Sequence, residues 1–96
     1  MVDNGGSMEF PFEENIKNGI YERTFSQDVD NEELVWHRDR EDREVQVIGE
    51  TDWMFQFDNE LPFQMEGKFF IPMGVYHRVI KGSGELKLKI KKFWKN

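Results

Sequence analysis

The sequence lacks cysteine and any long apolar run. Its 96 residues include no Cys, which excludes disulfides, thiolate metal sites and Cys nucleophiles. No apolar segment approaches the ~20 residues needed to span a membrane, and the N-terminus has no basic, apolar secretory signal. We therefore expect a cytoplasmic protein that does not interact with membranes.

Histidine is scarce, and positive charge is in the minority. The chain has two His residues and a formal net charge of −6. This acidic balance argues against binding to nucleic acid, because duplex-binding proteins present a basic face. The sequence also has no Gly-rich phosphate loop and no Ser-centred nucleophile elbow. It therefore indicates no organic cofactor and leaves any catalytic residue unknown.

The sequence is rich in alternating patterns of period two. Residues 86–91 read Leu-Lys-Leu-Lys-Ile-Lys, and residues 53–57 read Trp-x-Phe-x-Phe. Both patterns are typical of strands with one buried face. Strands at regular intervals without helical periodicity indicate an all-β sandwich or barrel.

The length allows one small domain with a modest core. We assign residues 1–7, which include Asn4-Gly5-Gly6-Ser7, to a flexible leader, and residues 8–96 to the folded domain. The predicted strands cover residues 10–12, 16–25, 34–39, 43–48, 53–57, 69–71, 77–80 and 86–91. The first two are short edge strands, interrupted by a turn at Asn18-Gly19.

The two histidines lie in distinctive surroundings. His77 closes the segment Pro72-Met-Gly74-Val-Tyr-His77, in which Pro72 fixes one backbone dihedral and Gly74 can adopt a positive φ. The chain can therefore reverse sharply before the strand that carries His77. His37 is followed two residues later by Asp39. Residues two apart on a strand face the same side, so His37 and Asp39 are predicted to converge.

The spacing Pro-x-Gly-x-x-His resembles the second motif of the cupin superfamily. The His37 segment lies where the first cupin motif, His-x-His followed by Glu, is expected. The resemblance covers roughly residues 34–90, and the chain looks similar to uncharacterised cupins of cyanobacteria and their phages. It departs from the family pattern at Asp39, which takes the second His position, and at Lys81, where Asn is usual.

The resemblance implies a cupin-like antiparallel β-barrel, also called a double-stranded β-helix or RmlC-like jelly roll. Exchange of the N-terminal strands with a second copy is compatible with it. The barrel mouth would hold a divalent metal ion (Fe, Mn, Ni or Zn), with His37, Asp39 and His77 as ligands.

The fourth family ligand is left open. A three-residue spacing after Asp39 reaches Arg43, and a four-residue spacing reaches Glu44. An inward Arg43 would pair with Asp39 or bind an anion. A one-residue bulge would instead turn Glu44 inward and complete a four-ligand site.

The candidate ligand-binding residues are Arg43, Tyr76 and Trp53. Tyr76 precedes His77, where a surface role is the alternative, and Trp53 is equally a candidate for the core. The charged run 38–44 has the appearance of a solvated turn with weak ion pairs. Trp36 and Phe93-Trp94 are hard to bury in one small barrel, so we expect a homodimer.

Two functional hypotheses follow. In the first, a small cupin binds a divalent metal and a small polar or anionic ligand in the barrel mouth. In the second, a metal-free barrel binds an anion around Arg43 or acts as a structural or assembly protein. Fold alone does not choose between them, because similar barrels carry many functions.

Overall fold

The computed structural model describes residues 10–94, which form two antiparallel sheets. The strands are β1 (Glu13–Lys17), β2 (Ile20–Phe25), β3 (Asp42–Val47), β4 (Met54–Phe57), β5 (Phe63–Gln64), β6 (Lys68–Ile71), β7 (His77–Ile80) and β8 (Leu86–Phe93). The larger sheet has the order β1-β2-β8-β3-β6, and the smaller one β5-β4-β7. The predicted leader at 1–7 lies outside the described residues, as do residues 8–9, 95 and 96.

The inner faces of the two sheets share one apolar core. In β8 the residues Leu86, Leu88 and Ile90 are buried while the lysines between them are exposed. Phe55 of the smaller sheet packs on Phe69 of the larger one, with ring centroids 4.8 Å apart. The predicted all-β fold is therefore confirmed, and period-two alternation gives it its buried face.

The N-terminal hairpin is built as the Asn-Gly signal predicts. Asn18 and Gly19 both have positive φ, 53° and 78°, which a two-residue hairpin turn of type I′ requires. β2 also pairs with β8 of the same chain, so it is an interior strand and not the predicted edge strand. Residues 10–12 form no strand. Exchange of these strands with a second copy stays a prediction.

The predicted strand at 34–39 does not form. A short 3₁₀ helix, Asn31–Glu33, precedes this segment. The side chain of Asp30 caps the helix by accepting the N–H of Glu32 at 3.0 Å. Of the segment itself, only His37 makes a β-bridge, to His77. Within the described part of the chain, no helix has the length and apolar composition needed to cross a membrane.

Trp53 lies at the centre of the core. Its side chain is fully buried, and its indole Nε1–H donates to the carbonyls of Ser83 and Gly84, each at 3.2 Å. The Phe25 ring lies 5.7 Å from the Trp53 ring, centroid to centroid. The tryptophan thus ties the smaller sheet to the loop before β8, because a buried indole N–H needs an acceptor.

Trp53→Phe should lower the free energy of unfolding by about 1–3 kcal/mol, because the carbonyls of Ser83 and Gly84 lose their shared donor and the core loses volume. Trp94→Phe is the matched control, since Trp94 is largely exposed, and it should change stability by less than about 0.5 kcal/mol. Urea denaturation followed by circular dichroism measures both. Equal effects of the two substitutions would contradict the burial of Trp53.

The same loop is held by Asp52. Its Oδ1 accepts the backbone N–H of Ser83 at 2.8 Å, and its Oδ2 accepts the Ser83 hydroxyl at 2.9 Å. The backbone hydrogen bond, followed by the hydroxyl, lowers the pKa of Asp52 below its ordinary value. A lowered carboxyl pKa stabilises the fold above the unfolded-state pKa, and this contribution disappears as the pH falls.

Asp52→Asn should therefore be less stable than the wild type at neutral pH, and the gap should close as the pH falls below about 4. Thermal melts between neutral and acid pH measure the gap. Ser83→Ala, which removes one of the two donors, should show a smaller gap of the same sign. A gap that does not change with pH would show that the Asp52 charge has no role in holding the loop.

Candidate metal centre

A single backbone bridge places His37 beside His77. The N–H of His37 donates to the carbonyl of His77 at 3.0 Å, and the N–H of His77 donates back at 2.9 Å. The two imidazole rings lie 4.3 Å apart between centroids. His77 is buried in β7 against Phe55, whereas the side chain of His37 is 46% exposed at the cavity rim. The bridge therefore makes one site from two distant segments.

The Pro72 turn positions the segment that carries Asp39. Gly74 has a φ of +81°, as the sequence predicts for this turn. Its N–H donates to the backbone carbonyl of Asp39 at 3.0 Å, and the N–H of Met73 donates to the carboxylate of Asp42 at 2.7 Å. The turn thus makes hydrogen bonds to two residues of the charged run, Asp39 and Asp42.

Backbone carbonyls orient both imidazoles. Nδ1 of His37 lies 3.0 Å from the carbonyl oxygen of Val35, and Nδ1 of His77 lies 2.8 Å from that of Val75. A carbonyl only accepts, so each Nδ1 carries the proton in these bonds. Each Nε2 is left to face Asp39, which is how protein metal sites commonly present histidine.

The carboxylate of Asp39 completes the cluster. Its Oδ2 lies 3.3 Å from Nε2 of His77, and its Oδ1 lies 4.0 Å from Nε2 of His37. The side chain is 6% exposed, and among the described groups Oδ2 has no hydrogen-bond partner. Two neutral imidazole nitrogens and a carboxylate all offer lone pairs, so a proton or cation between them is required to offset their repulsion.

The donor set fits a divalent transition metal. One ligand atom from each of His37, Asp39 and His77 lies within 4.8 Å of the others. Two imidazoles and one carboxylate suit Fe, Mn, Ni or Zn and leave coordination positions open. The structure thus brings together the three residues that the sequence singled out as candidate ligands.

Arg43, not Glu44, faces this cluster. The β3 register is continuous from Arg43 to Gln46 against β6, without a bulge. Arg43 lines the cavity together with Val45, while Glu44 lies on the opposite face of the strand. Of the two alternatives that the spacing left open, the register thus turns Arg43 toward the cluster and places Glu44 outside it. Sequence could not decide this point because it depends on strand register.

The guanidinium of Arg43 is held between two carboxylates. Its Nη2 lies 3.3 Å from Oδ1 of Asp39, and its Nε donates to Oε2 of Glu41. Glu41 is only 3% exposed, so this part of the charged run is not the solvated turn that its sequence indicates. A buried carboxylate needs such a partner, and the guanidinium of Arg43 offsets the charge of Glu41.

The neighbouring charges shift two pKa values at the site. Burial tends to raise the pKa of Asp39, but the contact with His77 and the charge of Arg43 lower it overall. Burial lowers the pKa of His37, with a smaller contribution from His77, although Val35 and Asp39 act in the opposite direction. Both shifts favour an anionic Asp39 beside a neutral His37, which is the protonation state that binds a metal.

Tyr76 and Trp53 lie away from the cavity. Tyr76 is 43% exposed, and the guanidinium of Arg38 stacks over its ring at 5.2 Å. A second outward pair has Arg78 over the ring of Trp36 at 4.8 Å. Trp53 is buried in the core. Of the three predicted ligand-binding residues, only Arg43 lines the cavity.

A cavity of about 410 Å³ opens beside the cluster. Its walls are largely apolar, and include Phe12, Phe25, Leu34, Val45, Phe55, Ile71, Val79, Leu88 and Ile90. It also contains two basic residues that the sequence analysis did not single out, Arg23 and Lys92. The position of Lys92 could have been predicted from the sequence. If the alternation of β8 is continued two residues past Ile90, Lys92 falls on the inner face.

Comparison with known proteins shows which fold this arrangement of strands belongs to. No protein-family model and no curated protein matches the sequence. Among solved structures, the chain is similar to a cupin domain from Bordetella pertussis, with a TM-score of 0.59 and 22% identity, covering 91% of this chain and 99% of that one. The chain has the cupin fold. The resemblance drawn from its motifs is thereby confirmed at the level of the fold.

Two other solved structures that the chain resembles are longer proteins. A conserved Streptococcus pyogenes protein of unknown function, SPY1581, has a TM-score of 0.60 and 14% identity over 80% of this chain. Fe(II)-containing HppE in complex with substrate has a TM-score of 0.61 and 14% identity over 91% of this chain. The chain spans 64% of the first protein and 55% of the second.

Imidazole nitrogen NMR of the metal-free protein should show neutral His37 with the proton on Nδ1, because the carbonyl of Val35 accepts from that atom. His37 should titrate below the value of about 6.5 that is ordinary for histidine. The signals that disappear in His37→Asn identify that residue. A neutral Nε2–H tautomer of His37 would contradict the described orientation.

Proposed function

We propose that this cupin binds a divalent metal ion through His37, Asp39 and His77, and binds a small molecule in the adjoining cavity. The observation that carries the proposal is Oδ2 of Asp39. It is buried, lacks a hydrogen-bond donor among the described residues, and lies 3.3 Å from Nε2 of His77. A buried acceptor in this position is costly unless a cation or proton satisfies it.

The protein's own groups are arranged around that cation. The carbonyls of Val35 and Val75 hold the two imidazoles with Nε2 toward Asp39. When bound, the metal would supply Lewis acidity and open coordination positions. In support of this role, the fold neighbour HppE is known with Fe(II) and with Co(II), so the cupin fold is compatible with a divalent metal.

The positive charge of Arg43 is compatible with a metal at this site. Its guanidinium contacts Oδ1 of Asp39 and leaves Oδ2 free for another partner. Glu41, on its other side, offsets its charge. Arg43 therefore acts as a positioning residue that holds the carboxylate in one orientation.

The metal-free alternative has weaker support. In its anion-binding form it requires Arg43 to offer its guanidinium to a ligand, and that group already pairs with Asp39 and Glu41; a structural or assembly role stays a prediction. A ligand anion at Arg43 would have to displace one of these carboxylates and leave it buried without a partner, which is costly.

Self-association and a cytoplasmic location stay predictions. Trp94, Phe93 and Trp36 are 63%, 47% and 42% exposed, as the expectation of a homodimer requires. Large exposed aromatic side chains are often covered in a complex.

The untagged protein, purified without chelator, should contain near-stoichiometric Fe, Mn, Ni or Zn by elemental analysis. His77→Ala and Asp39→Asn should each weaken metal binding by more than about 10-fold. Each removes a residue that binds the metal directly, and losing even a hydrogen-bond partner of such a residue typically lowers metal affinity about 10-fold or more. Titration of the chelator-treated protein with each metal measures this loss. Glu44→Gln is the matched control, since Glu44 lies on the outer face of β3, and it should bind like the wild type.

Absence of metal from the wild-type protein, together with no binding on titration, would overturn the proposed metal site. Equal loss in Glu44→Gln and Asp39→Asn would show that general charge, and not the described cluster, attracts the ion. Thermal melts of each variant separate loss of the site from loss of the fold.

A further inference from the structure

Lys92 is a basic side chain that lines the cavity and has no ionic partner among residues 10–94. It follows Ile90 by two residues on β8 and therefore points to the same inner face. It lies opposite Arg43 in the register between β8 and β3. Lys92 also lines the cavity, whereas its neighbour Lys91 is exposed on the outer face.

The other basic residues of the cavity are already paired. Nη2 of Arg23 lies 2.6 Å from Oε2 of Glu14. Arg43 is held by Asp39 and by Glu41. Among residues 10–94, Lys92 forms no ion pair; its Nζ instead lies 3.9 Å from the ring centroid of Tyr21.

The surroundings of Lys92 would be improved by an anion. Partial burial lowers its pKa and the like charge of Arg43 lowers it further, while the charges of Glu41 and Glu14 offset part of this effect. A bound anion would offset both the desolvation of the ammonium and its repulsion by the guanidinium. One ammonium offers a single point charge, which suits a monoanion better than a phosphate that needs several donors.

The remaining walls determine the rest of the ligand. Phe12, Phe25, Phe55, Leu88 and Ile90 all face the cavity. A volume of about 410 Å³ lies within the range of small-molecule sites, about 300–1,000 Å³. Apolar walls favour a hydrocarbon body because its burial removes apolar surface from water.

We infer that the ligand is a small monocarboxylic acid with a compact aliphatic or aromatic body, whose carboxylate pairs with the ammonium of Lys92. The hydrocarbon part contacts the apolar walls. This inference rests on the proposed function in placing the ligand in the same cavity, and it requires no contact between the ligand and a metal. It assigns to Lys92 the anchoring role that the sequence suggested for Arg43.

The test is calorimetric titration of the full chain with phenylacetate and hexanoate, and with the neutral amides phenylacetamide and hexanamide. Lys92→Gln should weaken carboxylate binding by about 10-fold or more, the usual effect of removing a hydrogen bond to a charged group. It should leave amide binding unchanged. Lys91→Gln, the matched outer-face control, should bind the carboxylates like the wild type, and Lys92→Arg should restore most of the affinity.

Carboxylate binding that is equal in Lys92→Gln and the wild type would overturn the inference, and so would a wild-type protein that binds neither acid. Metal content measured on the same samples separates the two proposals. Lys92-dependent carboxylate binding in protein that takes up no metal would overturn the proposed metal site and support the proposed role of Lys92. Metal uptake without Lys92-dependent carboxylate binding would support the metal site and overturn the role of Lys92.

Discussion

The site depends on the pair of backbone hydrogen bonds between His37 and His77. His37 belongs to a segment that has no regular strand, so this bridge is its one ladder contact with the sheets among the described residues. The Pro72 turn adds a second attachment through Gly74, which donates to the Asp39 carbonyl. Backbone hydrogen bonds are directional, so these contacts determine where the imidazoles and the carboxylate meet.

Charge balance is the second constraint on the cavity. Asp39, Glu41 and Arg43 lie together in a poorly solvated region, where each would be unfavourable alone. Arg43 contacts one oxygen of Asp39 and leaves the other for the histidine side. The basic residue that breaks the cluster's resemblance to a usual cupin site thus becomes part of what holds the carboxylate in place.

Most of the fold follows from local patterns. Alternation in β8, the Asn18-Gly19 turn and the Pro72 turn are each specified by a few neighbouring residues. The prediction of a strand at 34–39 is wrong, because only His37 in this segment finds a ladder partner. A strand needs a neighbour along its whole length, and sequence alone does not show one.

The sequence by itself determined the all-β class, the small size of the core and the three side chains His37, Asp39 and His77, because periodicity and motif spacing are local properties. Tertiary structure decided that Arg43 faces the cavity, that Glu44 does not, and that Lys92 stands opposite Arg43. The reason is physical: a shift of one residue in register moves every side chain to the other face. Register is set by the pairing of strands far apart in the chain.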